Sequence, residues 1–164
     1  MQKLELIQNK ILPLVEAKRF VARWKLKSEK VVFTNGVFDI IHRGHIEYLL
    51  SAADQGDRLI IGLNSDASAK LLNKGPNRPI QDEDSRALAL AAMTYVDAVV
   101  VFDEETPESL IQELNPNVLV KGGDYKIEEI AGHEFVTANG GEVLTIPLTE
   151  GFSTTAIENR IKNG

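Results

Sequence analysis

Two histidines, His42 and His45, stand three residues apart in a stretch that reads VVFTNGVFDIIHRGHIEY from Val31 to Tyr48. Imidazoles so placed can donate hydrogen bonds to an anion, bind a metal as a pair, or do no more than decorate a helix start. Their surroundings bear on the choice. Val31-Val32-Phe33 is a branched and aromatic run that suits a strand. Thr34-Asn35-Gly36 carries turn chemistry. Beyond the histidines, Ile46, Leu49, Leu50 and Ala53 recur at helical spacing. The pair therefore lies in the first turn of a helix that follows a strand, where unpaired N–H groups and partial positive charge favour phosphate. Gly44 leaves room beside them for a bulky anion. The chemistry implied is phosphate handling.

Three further places fall where strands end. Asn64-Ser65-Asp66 leads into an expected loop with Lys70, Lys74, Gly75 and Arg78, basic enough to close over phosphates, although such side chains are often only exposed. In Lys121-Gly122-Gly123-Asp124-Tyr125 the glycines let backbone approach a flat ligand, and Asp124 can accept hydrogen bonds from a base or a sugar. A plain turn accounts for the same residues. In Glu150-Gly151-Phe152-Ser153-Thr154-Thr155 the hydroxyls and free N–H groups make a second anion site, with Ser153 as N-cap.

The elements that must hold these residues alternate along the chain. Strands are expected at Arg58–Asn64, Asp97–Phe102, Asn117–Lys121 and Glu142–Ile146, besides the run at Val31. Helices are expected at Asp82–Met93, with acids in its first turn, from Thr106-Pro107 to Leu114, and from Ser153 to the end. Strands this apolar, separated by helices, predict an α/β, Rossmann-like, doubly wound five-stranded parallel sheet with helices on both faces. Residues 1–30 carry an amphipathic helical pattern, which Pro13 interrupts or restarts. They are expected to form an extension packed on the domain 31–164 or on a second subunit. The fingerprints GxGxxG and GxxxxGK[ST] are absent, so the histidine stretch must carry the argument.

The 164 residues suggest one domain, 43% hydrophobic and 26% charged, as in ordinary globular proteins. There is no cysteine, which excludes disulfides and thiolate metal sites. A net charge of −6 argues against general nucleic-acid binding. No apolar run approaches a membrane span, and no signal peptide is apparent.

The pattern GxFDxxHxGH, made by Gly36, Phe38, Asp39, His42, Gly44 and His45, resembles the signature of the cytidylyltransferase-like nucleotidyltransferases. TNGVFDIIHRGH, LNSD, KGGDY and GFSTTAI are similar in order and spacing to the heptose-1-phosphate adenylyltransferases, over nearly everything from Lys30 onward. The resemblance implies transfer of AMP from ATP to D-glycero-D-manno-heptose 1-phosphate, giving ADP-heptose and pyrophosphate for bacterial lipopolysaccharide. It implies a cytoplasmic enzyme with small-molecule substrates, no nucleic-acid or membrane partner, and a homo-oligomeric state. In many bacteria this domain is fused behind a sugar kinase; the chain looks like the stand-alone form. The roles implied are catalysis for His42, His45 and Lys74, and substrate contacts for Asp39 and Asn64. Nucleotide contacts fall to Asn35, Gly36, Val37, Phe38 and Gly44, to Lys70 and Arg86, to Gly122 and Asp124, and to Gly151, Ser153, Thr154 and Thr155. Mg²⁺ would be held by substrate oxygens and water, with no metal site on the protein.

The glycerol-3-phosphate cytidylyltransferases are similar too, but their motifs resemble RTEGISTT and GDD. Here Leu148 stands where that arginine would be and Gly123 where the first acid would be, which favours the adenylyl branch. The alternatives are a cytidylyltransferase for glycerol 3-phosphate or a similar alcohol phosphate, and a nucleotide-binding module without turnover.

Overall fold

The computed structural model describes residues 2–72, 75, 77–149 and 151–163. Five strands form its centre: β1 (Val31–Gly36), β2 (Arg58–Asn64), β3 (Ala98–Phe102), β4 (Val118–Gly122) and β5 (Glu142–Ile146). All pair in parallel, in the order β3-β2-β1-β4-β5. Consecutive residues of a strand point to opposite faces, and both faces here are covered. Val31 and Phe33 of β1 join one core with Ile60, Val100 and Leu119. Val32 joins the other with Leu59, Ile61, Val99 and Val118. That double burial is why the strands read as nearly unbroken apolar runs. The expected doubly wound sheet is the fold observed.

The helices are α1 (Lys3–Gln8), α2 (Leu14–Leu26), α3 (Arg43–Ala53), α4 (Asp66–Leu71), α5 (Glu83–Ala91), α6 (Glu108–Leu114), α7 (His133–Ala138) and α8 (Thr154–Asn163). The core with Phe33 takes Ala17, Val21 and Trp24 of α2, Leu110, Ile111 and Leu114 of α6, and Val136 of α7. The opposite core takes Tyr48, Leu49 and Ala52 of α3 and Ala87 and Leu90 of α5. Pro13 is the N-cap of α2, so it starts a second helix rather than kinking one. Between α1 and α2 the chain runs along the edge strand: Leu12 N donates to Val99 O at 2.9 Å and Val99 N to Lys10 O at 2.8 Å. This contact covers an edge that would otherwise be open to pairing.

Two expectations are corrected. Residues 66–71 form α4, not a loop; Ser65 Oγ caps it by accepting from Ser68 N at 3.1 Å. Between β4 and β5 lie a 3₁₀ turn (Ile127–Glu129) and α7, where no helix was expected. Both helices have six residues, too short for a hydrophobic period to declare itself. Among the described residues no helix is long and apolar enough to cross a membrane.

Candidate active site

The site opens where two strands part. β1 and β4 keep register only at Val32–Val118 and Phe33–Leu119, and this is where the strand order reverses. Ligands in open α/β sheets bind outside the carboxyl ends of strands at such a switch point. Tyr48, from α3, fills the base of the gap. Its hydroxyl is 2.6 Å from Thr34 Oγ1 of β1 and donates to Val120 O of β4 at 3.3 Å. Burial pushes its phenol up to about 12, so it stays a neutral spacer. Above it lies a cleft of about 520 Å³.

One wall is the loop from β1 into α3. Phe38 has φ 48°, a left-handed conformation that few aromatic residues adopt, and is nearly buried. Its ring lies over Gly36, where a Cβ would come within 2.9 Å of it, and meets His45 edge-on with centroids 5.4 Å apart. His42 and His45 stack at 3.8 Å with an interplanar angle of 21°. His42 is the N-cap of α3, and among the described residues its side chain makes no capping hydrogen bond, so this helix start is suited to an anion. Burial holds the His42 imidazole below its usual pKa, so near neutral pH it is an uncharged donor. Its Nδ1 is buried with no hydrogen-bond partner among the described residues. Gly44 makes this packing possible: a Cβ there would sit 3.2 Å from both the His42 ring and Phe152 Cβ.

The other wall comes from the start of α8, where Ser153, Thr154 and Thr155 line the cleft. Ser153 Oγ accepts from Ala156 N at 3.0 Å, the expected N-cap. One hydrogen bond and one ion pair tie this end of the chain to the rest of the site. Glu47 of α3 accepts from Arg43 Nε at 2.6 Å and from Thr149 Oγ1 at 2.5 Å. Arg78 reaches Glu158 of α8 at 2.9 Å and Asp39 at 3.2 Å. From β4, Lys121 Nζ donates to Asn35 Oδ1 at 3.3 Å, and Gly122 lies under Leu148.

The cleft thus brings together Asn35, Gly36, Val37, Phe38, Asp39, His42, Gly44 and His45 with Gly122 and the Ser153–Thr155 turn. Others lie elsewhere. Asn64 lines a smaller neighbouring cavity. Lys70 is exposed in the last turn of α4, and neither it, Asp124 nor Gly151 lines the cleft. Lys74 falls outside the described residues. Arg86, expected to reach phosphates, is 0% exposed and turned inward. Its guanidinium donates to the carbonyls of Gln81, Val37 and Asn64 and to Asp66 Oδ1 at 2.7–3.0 Å. Each of its three nitrogens makes at least one of these bonds. Asp39 lines the cleft, but its oxygens accept from Ile80 N, Gln81 N and Arg78. It is a clasp for the segment before α5.

Tyr48 was not singled out from the sequence as part of the site, and Arg78 was named only in the basic loop expected to close over phosphates. Tyr48 carried a usable signal, since it lies three residues after His45 on the same helical face. Among the described residues Asp39 is the one acid lining the cleft, and no group of three His, Cys, Asp or Glu there could hold a metal ion. The donors present suit an anion better than a bare divalent cation.

The model of the Cytidylyltransferase-like family matches residues 33–160, which hold both histidines and the α8 turn. The chain belongs to the cytidylyltransferase-like family. It is 54% identical over 144 residues, 88% of this chain, to "Bifunctional protein HldE" of Rhodopseudomonas palustris. It is 53% identical over 152 residues, 93% of this chain, to the protein of the same name from Citrobacter koseri. The chain spans only 29% and 32% of those relatives' lengths. Among solved structures, the lipopolysaccharide core biosynthesis protein from Thermoplasma volcanium superposes with a TM-score of 0.61 at 29% identity, covering 74% of this chain and 97% of that one. The cytidylyltransferase-like family is one of nucleotidyltransferases, so this chain is one too.

Proposed function

We propose that this chain transfers AMP from ATP to D-glycero-D-manno-heptose 1-phosphate, releasing pyrophosphate and forming ADP-heptose in the cytoplasm. The observation that carries the reading is the stacked His42–His45 pair at the uncapped start of α3, in one cleft with the start of α8. The choice of adenine and heptose rests on the similarity to the HldE proteins and on Gly123 and Leu148, where a cytidylyltransferase pattern would place an acid and an arginine.

The acceptor phosphate is already an anion near neutral pH, so no strong base is needed. One of its oxygens attacks the α-phosphorus; that bond forms as the bond to the bridging oxygen of pyrophosphate breaks, and the pyrophosphate leaves with the electron pair. What the protein supplies is positioning and stabilisation of charge. His42 and His45 donate N–H groups to phosphate oxygens, and the first amides of α3 add the helix-terminus contribution. Ser153, Thr154 and the amides of α8 hold the other end of the triphosphate. Mg²⁺ would be held by the nucleotide phosphates and water and would neutralise part of their charge. The residues of the cleft act on the phosphates themselves.

Pyrophosphate release, measured for ATP and CTP against heptose 1-phosphates and glycerol 3-phosphate, tests the proposal. The expected result is the highest kcat/KM with ATP and the heptose. A higher kcat/KM with CTP across all acceptors overturns the adenylyl assignment. Nucleotide binding without release in any combination reduces the chain to a binding module.

A further inference from the structure

Beside the cleft lies a second cavity of about 240 Å³. The two share a wall: Asn35, Gly36, Val37, Lys121 and Tyr125 line both. The unshared part of the smaller one is built from Asn64 at the end of β2, Glu105 and Thr106 ahead of α6, and Glu129 in the turn after β4.

A two-substrate transfer needs two sites that meet, because the acceptor oxygen must reach the α-phosphorus in line. The larger cleft holds the histidines and both helix starts, so it takes the triphosphate. The smaller cavity cannot take a nucleoside triphosphate but has the size for one sugar ring. Its charge is laid out for a molecule anionic at one end only. Lys121 stands on the shared wall, tied to Asn35 and lying 5.9 Å over the Tyr125 ring, while Glu105 and Glu129 line the smaller cavity and not the cleft. Carboxylates accept hydrogen bonds from neutral hydroxyls and repel a further anion.

Resting on the activity proposed above, we infer that this smaller cavity is the acceptor site: Glu105, Thr106 and Glu129 bind the sugar hydroxyls, and Lys121 holds the sugar phosphate against the nucleotide. The acids make the site selective for a neutral polyhydroxylated body.

The test is steady-state kinetics with ATP and heptose 1-phosphate for the wild type, Glu105→Gln, Glu129→Gln and Lys121→Met. Glu105 and Glu129 are exposed, so their variants fold. Each should raise KM for the sugar phosphate roughly tenfold, the loss of a charge-assisted hydrogen bond, with KM for ATP and Tm unchanged. Lys121→Met should raise the same KM and also lower kcat. Unchanged sugar KM in both glutamine variants overturns the acceptor site, and so does a parallel rise in KM for ATP. Failure of the activity itself is distinguishable: a wild type that releases no pyrophosphate with any sugar 1-phosphate sinks both proposals. A turning-over wild type with silent variants sinks only this one.

Discussion

At the scale of single residues, the site depends on two imidazoles stacked against each other, and burial keeps that of His42 neutral. A neutral donor aimed at the place where phosphate charge develops needs no reorganisation during the reaction. Losing one such donor typically costs about 3–4 kcal/mol, on the order of a hundred- to a thousand-fold in rate. His42→Ala and His45→Ala should therefore lower kcat on that scale while Tm and most ATP affinity survive. Steady-state kinetics with thermal unfolding checks this, and near-normal kcat in folded variants would refute the donor role. Burial also sets a pH dependence. Because His42 is held below its unfolded pKa, the folded chain binds its proton less readily than the unfolded chain. Its contribution to stability is thus full above about 6.5 and is lost as pH falls below that value. Bound phosphate reverses the preference, since an anion favours imidazolium. ATP affinity, followed by calorimetry, should rise as pH falls below about 6.5. His42→Asn should flatten that rise, the nucleotide's own titration being common to both proteins. The types and spacing of these histidines could be read directly, because a strand, a turn and a helix start lie within eighteen consecutive residues. Arg86 could not be read this way. Its helix was legible, but its direction is set by the carbonyls of Val37 and Asn64, brought beside it from two other strand ends.

At the scale of elements, those carbonyls make Arg86 a tie rather than a ligand. The guanidinium joins the loop after β1, the end of β2, the segment before α5 and the start of α4. Removing a buried cation with four hydrogen bonds leaves its partners unsatisfied and typically costs about 3–5 kcal/mol. Arg86→Met should lower Tm sharply, as measured by thermal or denaturant unfolding. A phosphate-binding arginine would show the opposite pattern, with Tm kept and ATP affinity lost. Asp39 does related work across the same gap. Its carboxylate accepts two backbone amides and Arg78, and Arg78 in turn reaches Glu158 on α8. That chain of contacts links the loop carrying the histidines to the helix carrying Ser153–Thr155. Glu158→Gln should weaken the link and raise KM for ATP several-fold, with less effect on Tm because the pair is only partly buried. A change in Tm with KM for ATP unmoved would make the pair a purely structural one. None of this lay on the surface of the sequence. Apart from Arg86–Gln81, each contact joins residues twenty or more positions apart, and carboxylates and guanidines give no sign of which partner they will meet.

At the scale of the molecule, the sheet was legible because strands buried on both faces are apolar throughout, whereas α4 and α7 were hidden by their shortness. The N-terminal segment is the harder case. The family match begins at residue 33, and the amphipathic pattern before it reads as something added to a finished domain. The packing argues otherwise. Ala17, Val21 and Trp24 of α2 lie in the same core as Val31, Phe33 and Ile60, and Trp24 is only 6% exposed. Its ring lies 5.6 Å from the Arg58 guanidinium, which pairs with Glu29 after α2 and with Asp97 before β3. Without α2, the face of β1 that carries Val31 and Phe33 would lose part of its cover. Burying a side chain such as Val or Phe contributes about 1.5–3 kcal/mol, and a whole domain keeps only about 5–15. Losing Val21 and Trp24 while exposing Phe33 therefore removes a large part of the total. Trp24→Ala should cost about 3–5 kcal/mol, and a chain beginning at Glu29 should show no cooperative melting and no pyrophosphate release. The alternative is an extension packed from outside onto a core already complete. In that case the shortened chain would keep a cooperative transition and its kcat, and Trp24→Ala would cost no more than an exposed substitution. The two measurements separate the cases even if the shortened chain cannot be obtained folded, because the point variant is read in the full chain.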